Sequence, residues 1–275
     1  MSEPRPTPLG GEASRAGVVP RCLTVAGSDS GGGAGIQADL KAFAAAGCHG
    51  LSAIVALTAQ NTVGVTAVHE VPPAFVLAQL DAVFSDIGVD AAKTGMLFSA
   101  EIVEEVAGFF AGHPVPLVVD PVLIATSGAR LLRRDAVRAL TTRLLPLATV
   151  ATPNLLEAQE LAGFEGPRRD LAEAIAALGP TAVIVTGGHG REAIDHLYSG
   201  GEHVEIPVVR HAVAATHGAG CTHSATLAAL LARATPLEEA AREAARVASA
   251  AVARGFAKLG AGEGPVDVLG LTGVG

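Results

Sequence analysis

The sequence predicts an α/β fold in which helices cover both faces of a mostly parallel central sheet, and three observations support this class. Short apolar runs alternate with helix-length segments, Gly and Ala are abundant, and hydrophobic residues form 49 % of the chain against 17 % charged residues. Strands that alternate with helices are typical of βαβ units, whose right-handed crossovers cover both faces of a sheet. Because such folds bind ligands beyond the carboxyl ends of the strands, we expect the functional residues in the strand-to-helix loops.

Six short apolar runs have the length and composition of buried strands, and they lie at residues 22–26, 52–57, 91–93, 117–119, 149–151 and 182–185. The intervening segments with apolar residues at helical spacing include 36–46 and 74–84. Residues 194–198 and 203–209 flank a Ser-Gly-Gly turn, which predicts an antiparallel hairpin at a sheet edge. Two later helices are predicted, one that starts near Gly218 and one at about 237–256 with a solvated, charged face.

The first twenty residues are rich in Pro and Gly and contain no apolar stretch like that of a signal peptide. We therefore expect residues 1–20 to form a flexible tail. After this tail the sequence shows no internal repeat and no Pro/Ser-rich linker. These observations predict one domain over residues 21–275.

The charge and the hydropathy pattern narrow the classes of function. A net charge of −8 without a stripe of Lys and Arg argues against a nucleic-acid partner. No uninterrupted apolar run reaches the about 18 residues that a membrane span needs, so no membrane partner is expected. The cysteines Cys22, Cys48 and Cys221 form neither a metal-ligand spacing nor an even disulfide set, which predicts a reducing, cytoplasmic compartment.

The most informative segment is ATHGAGCTHSATLAALL, at residues 215–231, which leads from a small, glycine-bearing turn into a helix. A helix N-terminus has unpaired N–H groups and a partial positive charge. The amides of Gly218, Ala219, Gly220 and Cys221 are therefore predicted to surround a phosphate oxygen, and the same field should favour the Cys221 thiolate. The alternative is an ordinary glycine-rich helix start with a buried cysteine.

Two other interpretations of Cys221 fail on spacing. A nucleophile elbow needs glycine two residues before and two residues after the nucleophile, but Ala219 and His223 occupy these positions. His217 and His223 flank the cysteine, yet two histidines and one cysteine at a single helix start do not make a closed zinc site.

The glycine-rich loop at residues 27–35, GSDSGGGAG, follows the first predicted strand. It does not fit the dinucleotide fingerprint, because Ile36 stands where the third glycine should be, and it lacks the Gly-Lys-Ser/Thr of a P-loop. We expect its backbone to approach a flat small molecule, with Asp39 one turn into the next helix holding a polar ring group. A merely tight strand-to-helix turn is the alternative.

Polar side chains follow three other predicted strands. The Gln60 amide offers a donor beside an acceptor, which matches the edge of an aminopyrimidine, although a turn cap is an equally good explanation. Asp120 lies at the carboxyl end of a strand, where a carboxylate can bind Mg²⁺. Asn154 and Glu157 have capping-box spacing, which explains both residues but also places two oxygen ligands near one point.

Eight segments together resemble one family in their order and spacing. They are AGSDSGGGAGIQADLKAF, ALTAQNT, AAKTGML, VVDPV, ATPNLLEAQEL, VTGGH, DHLYSGG and ATHGAGCTHSA. The chain resembles the hydroxymethylpyrimidine/phosphomethylpyrimidine kinases of thiamine biosynthesis, in the ribokinase-like superfamily. The resemblance implies a three-layer α/β/α sandwich, ATP and Mg²⁺ as cosubstrates, and a homodimer. It also implies two successive phosphorylations, of 4-amino-5-hydroxymethyl-2-methylpyrimidine and then of its monophosphate.

The resemblance carries three groups of residues over to this sequence. The pyrimidine site would consist of Gly27, Asp39, Gln60, Met96 and Val122. The anion hole would consist of Gly218, Ala219, Gly220 and Cys221. The Mg²⁺ ion and the ATP phosphates would be organised by Asp120, Asn154 and Glu157. Cys221 would stand where other branches of the superfamily have an Asp base, and would accept the proton of the hydroxymethyl group.

One position departs from the family. Thr186 precedes Gly-Gly-His, where the family commonly has a Lys as a cation for the ATP phosphates. The chain contains only Lys41, Lys93 and Lys258, so no neighbouring Lys replaces it in sequence. Two alternatives stay open beside the bifunctional kinase, one because the same architecture and a Cys at this point also occur with a pyridine alcohol as substrate, and one because of Thr186. One is a pyridoxine or pyridoxal kinase, and the other is a pyrimidine-binding protein with weak or lost catalysis.

Overall fold

The structure is a computed structural model that describes residues 19–123, 132–188 and 193–273. A nine-stranded sheet runs through these residues in the order β3-β2-β1-β4-β5-β6-β7-β8-β9. The strands are β1 (Arg21–Asp29), β2 (His49–Gln60), β3 (Val65–Glu70), β4 (Ala91–Thr94), β5 (Leu117–Val119), β6 (Val150–Ala151), β7 (Ala182–Val185), β8 (Ile194–Ser199) and β9 (Glu202–Pro207). The six central strands are parallel, and β3, β8 and β9 are antiparallel at the two edges.

The helices of the described residues lie between these strands and after β9. They are α1 (Gly35–Ala45), α2 (Pro73–Ala82), α3 (Ala100–Gly112), α4 (Arg134–Ala139), α5 (Leu155–Ala162), α6 (Arg168–Ala176), α7 (Ala219–Ala232) and α8 (Leu237–Ala253). No helix of the described ranges combines the length and the apolar character that a membrane span requires.

Alternate residues of the central strands bury two separate cores, as the period of two in a strand requires. Val119 and Val183 belong to the core that also contains buried residues of α2, α3, α5 and α6. Their neighbours Val118 and Ile184 belong to the core that contains residues of α1, α7 and α8. Helices thus cover both faces of the sheet, and the predicted α/β/α sandwich with a mostly parallel sheet is confirmed.

The six predicted strands and the edge hairpin are all present, and Gly200 and Gly201 form the hairpin turn with positive φ angles. One strand was not predicted. The β3 segment Val65–Glu70 has only partly buried and exposed residues, so it lacks the apolar pattern of a core strand. Residues 1–18 of the predicted tail lie outside the described residues.

Candidate active site

The start of α7 is the centre of the candidate site. Gly218 precedes the helix in a left-handed conformation with φ of 84°, and Gly220 and Cys221 lie in the first turn. A Cβ atom on Gly218 would lie 1.8 Å from the carbonyl oxygen of Gly33, in the glycine-rich loop. Only glycine allows this approach together with the positive φ, so the loop and the helix start are in direct contact.

The structure corrects the prediction for Ala219. Its N–H donates a hydrogen bond to the carbonyl oxygen of Thr216 at 3.0 Å, which closes the turn into the helix. This N–H therefore has a partner within the protein and does not face a phosphate oxygen. Without Ala219, the predicted anion hole consists of the amides of Gly218, Gly220 and Cys221.

The glycine-rich loop is closed by its own aspartate, a role that the sequence analysis missed. The Asp29 carboxylate accepts the N–H groups of Gly31, Gly33 and Ala34 at 2.7, 3.0 and 2.8 Å, and Nε2 of His217 lies 3.0 Å from Oδ2. Burial alone would raise the pKa of Asp29, but the contacts with His217 and the amides outweigh it and lower this pKa. The loop is thus a tight turn that is fixed to the residue before Gly218.

Three predicted ring-binding residues lie at the ends of neighbouring strands. Gly27 donates its N–H to the carbonyl oxygen of Met96 at 3.2 Å, and a Cβ on Gly27 would lie 2.3 Å from Cε of Met96. Val122 is partly buried two residues after Asp120 and packs against the core. The structure therefore brings Gly27 and Met96 into contact.

Gln60 lies at the end of β2, beside the start of α7. Its Oε1 accepts the hydroxyl of Thr58 at 3.1 Å, and its Nε2 lies 3.5 Å from Nε2 of His217. Because His217 also contacts Asp29, the Gln60 amide belongs to the same polar cluster as the glycine-rich loop. Its predicted contact with an aminopyrimidine stays a prediction.

The Asp39 carboxylate has protein partners in this structure, and its predicted contact with a polar ring group stays a prediction. The Asp39 side chain is fully buried, its Oδ1 lies 2.9 Å from Nζ of Lys93, and its Oδ2 accepts the hydroxyl of Thr24 at 2.7 Å. The period of α1 places Asp39 on the inner face of the helix, among the buried residues Ile36 and Phe43. Both carboxylate oxygens therefore have protein partners.

Lys93 is the residue that the sequence analysis missed most clearly. Its side chain is fully buried, and its Nζ lies 2.9 Å from Asp39 and 3.5 Å from Oδ2 of Asp120. Ser224 of α7 donates its hydroxyl to the same Oδ2 at 2.7 Å. Burial alone would lower the pKa of Lys93, but Asp39, Cys221 and Asp120 raise it. A lone Lys within the apolar run of β4 was the available signal, since a buried lysine needs a carboxylate partner.

Cys221 has a chemical environment different from the one predicted. Burial raises the pKa of its thiol to about 12, and Asp39 and Asp120 also raise it, whereas Lys93 and the amide of Gly35 lower it. The expectation that the helix start favours the thiolate is therefore wrong for the ligand-free protein. Loss of hydration at the thiol therefore outweighs the helix field.

Asn154 and Glu157 form a capping box at the start of α5. Asn154 Oδ1 accepts the N–H of Glu157 at 3.0 Å, and Glu157 Oε2 accepts the N–H of Asn154 at 2.9 Å. Burial, and then the neighbouring Asp120, raise the pKa of Glu157 to about 8. The N–H of Thr186 donates to Pro153 at 2.9 Å, and Thr186 forms a parallel bridge with Asn154. The end of β7 therefore lies beside the start of α5.

The donor set at this edge of the sheet fits a hard divalent cation. Asp120 and Glu157 are buried carboxyl groups close enough for Asp120 to raise the pKa of Glu157. A cation would relieve that repulsion, and Mg²⁺ prefers oxygen ligands. Among the described residues, no group of three or more His, Cys, Asp or Glu side chains could hold a metal ion. The arrangement therefore suits an ion that one or two carboxylates share with phosphates and water.

The fold and the site define a class of α/β protein in which a helix N-terminus, a cysteine and carboxylates meet at the carboxyl ends of parallel strands. Comparison with known proteins narrows this class. A model of the family described as phosphomethylpyrimidine kinase matches residues 29–267. The hydroxymethylpyrimidine/phosphomethylpyrimidine kinase of Rhizobium meliloti (strain 1021) is 50 % identical over 252 residues, which cover 89 % of this chain and 95 % of that protein.

Solved structures give the same fold. A phosphomethylpyrimidine kinase from Clostridium difficile 630 has a TM-score of 0.76 and 39 % identity, over 85 % of this chain and 99 % of that chain. An ADP complex of Bacillus subtilis pyridoxal kinase has a TM-score of 0.85 and 36 % identity, over 92 % of this chain and 99 % of that chain. The chain belongs to the phosphomethylpyrimidine kinase family, and its fold is ribokinase-like.

Proposed function

We propose that this chain transfers the γ-phosphate of ATP to 4-amino-5-hydroxymethyl-2-methylpyrimidine and then phosphorylates the monophosphate to the diphosphate, in thiamine biosynthesis. One observation carries the proposal, namely the convergence of three kinds of group on the start of α7. Backbone amides come from the helix itself, the Gln60 amide lies beside His217, and Asp120 is bonded to Ser224. Family membership and the kinase names of the relatives support it.

The start of α7 suits the transferred phosphoryl group. The amides of Gly218, Gly220 and Cys221 and the positive end of the helix would stabilise the negative charge on its equatorial oxygens. Phosphoryl transfer has a loose transition state, so positioning and charge stabilisation carry most of the catalysis. The close approach of Gly218 to Gly33 would keep these amides in place.

Cys221 would accept the proton of the attacking hydroxymethyl group. Its pKa of about 12 means that the thiol is protonated at neutral pH in the ligand-free protein. Because only the thiolate can accept a proton, the minor fraction of the protein in which Cys221 has released its proton to water would be the reactive form, and Lys93 would stabilise its charge. As the S–H bond forms, the O–H bond of the hydroxymethyl group would break, and its oxygen would attack the γ-phosphorus while ADP leaves.

ATP and Mg²⁺ would meet at the edge formed by Asp120, Asn154, Glu157 and Thr186. Asp120 and Glu157 would hold Mg²⁺, which when bound would neutralise phosphate charge. Asn154 fixes the orientation of Glu157 through the capping box. Thr186 offers a hydroxyl and no charge at the position of the usual Lys, so neutralisation would depend more on the metal ion and the helix start.

The assembly and the location are also part of the proposal. We propose a single domain over residues 21–275, a homodimer, and a cytoplasmic location. The described cysteines are all free, which suits a reducing compartment. Sedimentation of the purified protein would test the dimer, because a monomer at micromolar concentration would contradict it.

The activity is tested with purified protein, ATP and either the pyrimidine alcohol or pyridoxal. We expect ADP release with the pyrimidine and the sequential appearance of its mono- and diphosphate. Faster turnover of pyridoxal would favour the second candidate, which the TM-score of 0.85 to a pyridoxal kinase motivates. Pyrimidine binding without ADP release would favour a binding protein.

The Gln60→Leu variant connects this activity to the predicted site. If the amide pairs with the aminopyrimidine, leucine leaves polar ligand atoms unmatched and should weaken binding by about 1–3 kcal/mol. Calorimetric titration measures this effect directly. Thr66→Val is the matched control on the neighbouring strand β3, where the hydroxyl bonds to Ala59. Equal pyrimidine affinity in wild type and Gln60→Leu would remove Gln60 from the site.

A further inference from the structure

Asp195, on β8, lies beside the turn that follows β7. Its side chain is buried, and Oδ1 accepts the N–H of Gly187 at 2.5 Å. A Cβ on Gly187 would lie 2.4 Å from the carbonyl oxygen of Ile194, so the turn is in close contact with the start of β8. Arg210 donates to the carbonyl oxygen of Gly187 at 2.8 Å. Gly187, the residue after Thr186, is therefore fixed through both of its backbone polar groups.

The other oxygen of Asp195 faces α7. Oδ2 lies 3.3 Å from Nε2 of His223, which follows Cys221 by two residues, and the His223 side chain is also buried. Within the described residues, neither ring nitrogen of His223 has a well-formed hydrogen bond. One carboxylate thus contacts the turn after β7 with one oxygen and the helix of the proposed anion hole with the other.

The buried Asp195–His223 pair is expected to make the folded protein less stable than an apolar pair at the same positions would. It lies between β8 and α7, whose buried neighbours in the same core include Leu197, Ala225 and Leu227. Burying a carboxylate costs free energy, and so does burying an imidazole that, like that of His223 within the described part of the chain, has no well-formed hydrogen bond. Apolar residues of similar volume are often at least as stable. Protein cores are normally apolar or fully hydrogen-bonded, and polar groups that depart from this rule are expected at functional sites.

We propose that Asp195 and His223 are positioning residues for nucleotide binding, which together hold the turn at residues 186–188 against the start of α7. The inference rests on the proposed kinase function and assigns two residues that its mechanism does not use. Thr186 contributes no cation, so the phosphates depend on the exact placement of backbone groups in the turn and in α7. A misplacement of about 1 Å at such groups can cost about 10²-fold in rate.

The test compares full-length wild type, Asp195→Ala, Asp195→Asn and His223→Leu. Calorimetric titration with MgADP and with the pyrimidine, and steady-state kinetics, separate the two binding sites. We expect Asp195→Ala to weaken MgADP binding and to raise the KM for MgATP by at least about tenfold, with pyrimidine affinity within about twofold of wild type. Asp195→Asn keeps an acceptor for the Gly187 N–H and should retain more nucleotide affinity than Asp195→Ala.

A purely structural role predicts a different result. His196→Asn is the matched control, because His196 is also buried on β8 but bonds to His203 on the opposite face of the sheet. We expect this control to lower the melting temperature without changing MgADP affinity. The double variant Asp195→Asn/His223→Leu removes the charge and the imidazole together, so it should fold even where Asp195→Ala does not, and still bind MgADP more weakly than wild type.

The outcomes distinguish a failure of the positioning role from a failure of the kinase function. Folded Asp195 and His223 variants with wild-type MgADP affinity, in a wild type that is an active kinase, would overturn the positioning role alone. A wild type that neither binds MgADP nor releases ADP would overturn the kinase function, and the positioning role with it.

Discussion

At the scale of single residues, loss of hydration affects the pKa of the Cys221 thiol more than the field of the helix does. The sequence places Cys221 at a helix N-terminus, which predicts a low thiol pKa, but loss of hydration and the neighbouring Asp39 and Asp120 raise this pKa. A sequence motif shows the direction of a helix but not the depth of a side chain. The same limit applies to Asp39, whose burial on the inner face of α1 no sequence motif shows.

The first prediction at this scale concerns Cys221. Cys221→Ala removes the proposed proton acceptor and should lower kcat by about 10²–10⁴-fold. For wild type, kcat should rise with pH toward the thiol pKa of about 12, whereas the alanine variant should lose this rise. Steady-state rates with saturating MgATP measure both effects. Cys48→Ala, a buried cysteine of another core region, is the control with unchanged kcat. A wild-type kcat in Cys221→Ala would leave the amides as the main catalytic groups.

The second prediction concerns Glu157 in the ligand-free protein. Its pKa is about 8 when folded against 4.5 for the ordinary group, so the folded state binds the extra proton between these values. Its contribution to stability is therefore complete below about pH 4.5 and is lost as pH rises to about 8, at up to about 1.4 kcal/mol per pH unit. Glu157→Gln keeps a capping-box side chain and should flatten this decline.

Urea unfolding without divalent cations, at several pH values across this window, checks the prediction. Glu104→Gln, at an exposed position of α3, is the control and should keep the wild-type pH dependence. Parallel pH profiles for wild type and Glu157→Gln would show that Glu157 ionises normally in the folded protein.

At the scale of elements, the sequence predicts the central strands well because apolar residues there must be buried on both faces. The hairpin was predictable for another reason, since Gly200 and Gly201 adopt the positive φ angles that their turn requires. The strand β3 was not predictable, because an edge strand with exposed side chains has no apolar pattern. The contact between Gly33 and Gly218 joins distant loops, and no local pattern reveals it.

The third prediction compares two glycines at the start of α7. Gly218→Ala forces a side chain into a left-handed conformation and against Gly33, so it should destabilise the protein by more than the about 1–2 kcal/mol of the backbone strain. Gly220→Ala lies in the helix with open space around its Cβ position and should stabilise the protein by about 0.4–1 kcal/mol. Urea unfolding of both variants gives the comparison. Equal effects would mean that the close approach at Gly218 does not constrain the helix start.

At the scale of the whole molecule, Lys93 connects the central sheet with the helix layer that contains α1 and α7. It contacts Asp39 of α1 and Asp120 beyond β5, and Asp120 accepts the hydroxyl of Ser224 on α7. One cation therefore faces two carboxylates, and the cluster keeps a net negative charge unless a carboxyl group is protonated. This charge is available to a divalent cation at Asp120, while Lys93 stabilises any charge that forms on the Cys221 thiol.

The last prediction separates the structural and catalytic parts of this cluster. Lys93→Met leaves two buried carboxylates without their cation and should cost about 3–5 kcal/mol of stability. Adding Asp39→Asn removes one of these charges, so the double variant should recover much of the loss, as measured by urea unfolding. Its kcat should stay far below that of wild type, because Asp120 and Cys221 still lack the positive charge of Lys93. If the double variant regained both stability and wild-type kcat, Lys93 would only balance the charge of Asp39. The negative charge on the Cys221 thiolate would then have to be stabilised by α7 and the bound nucleotide.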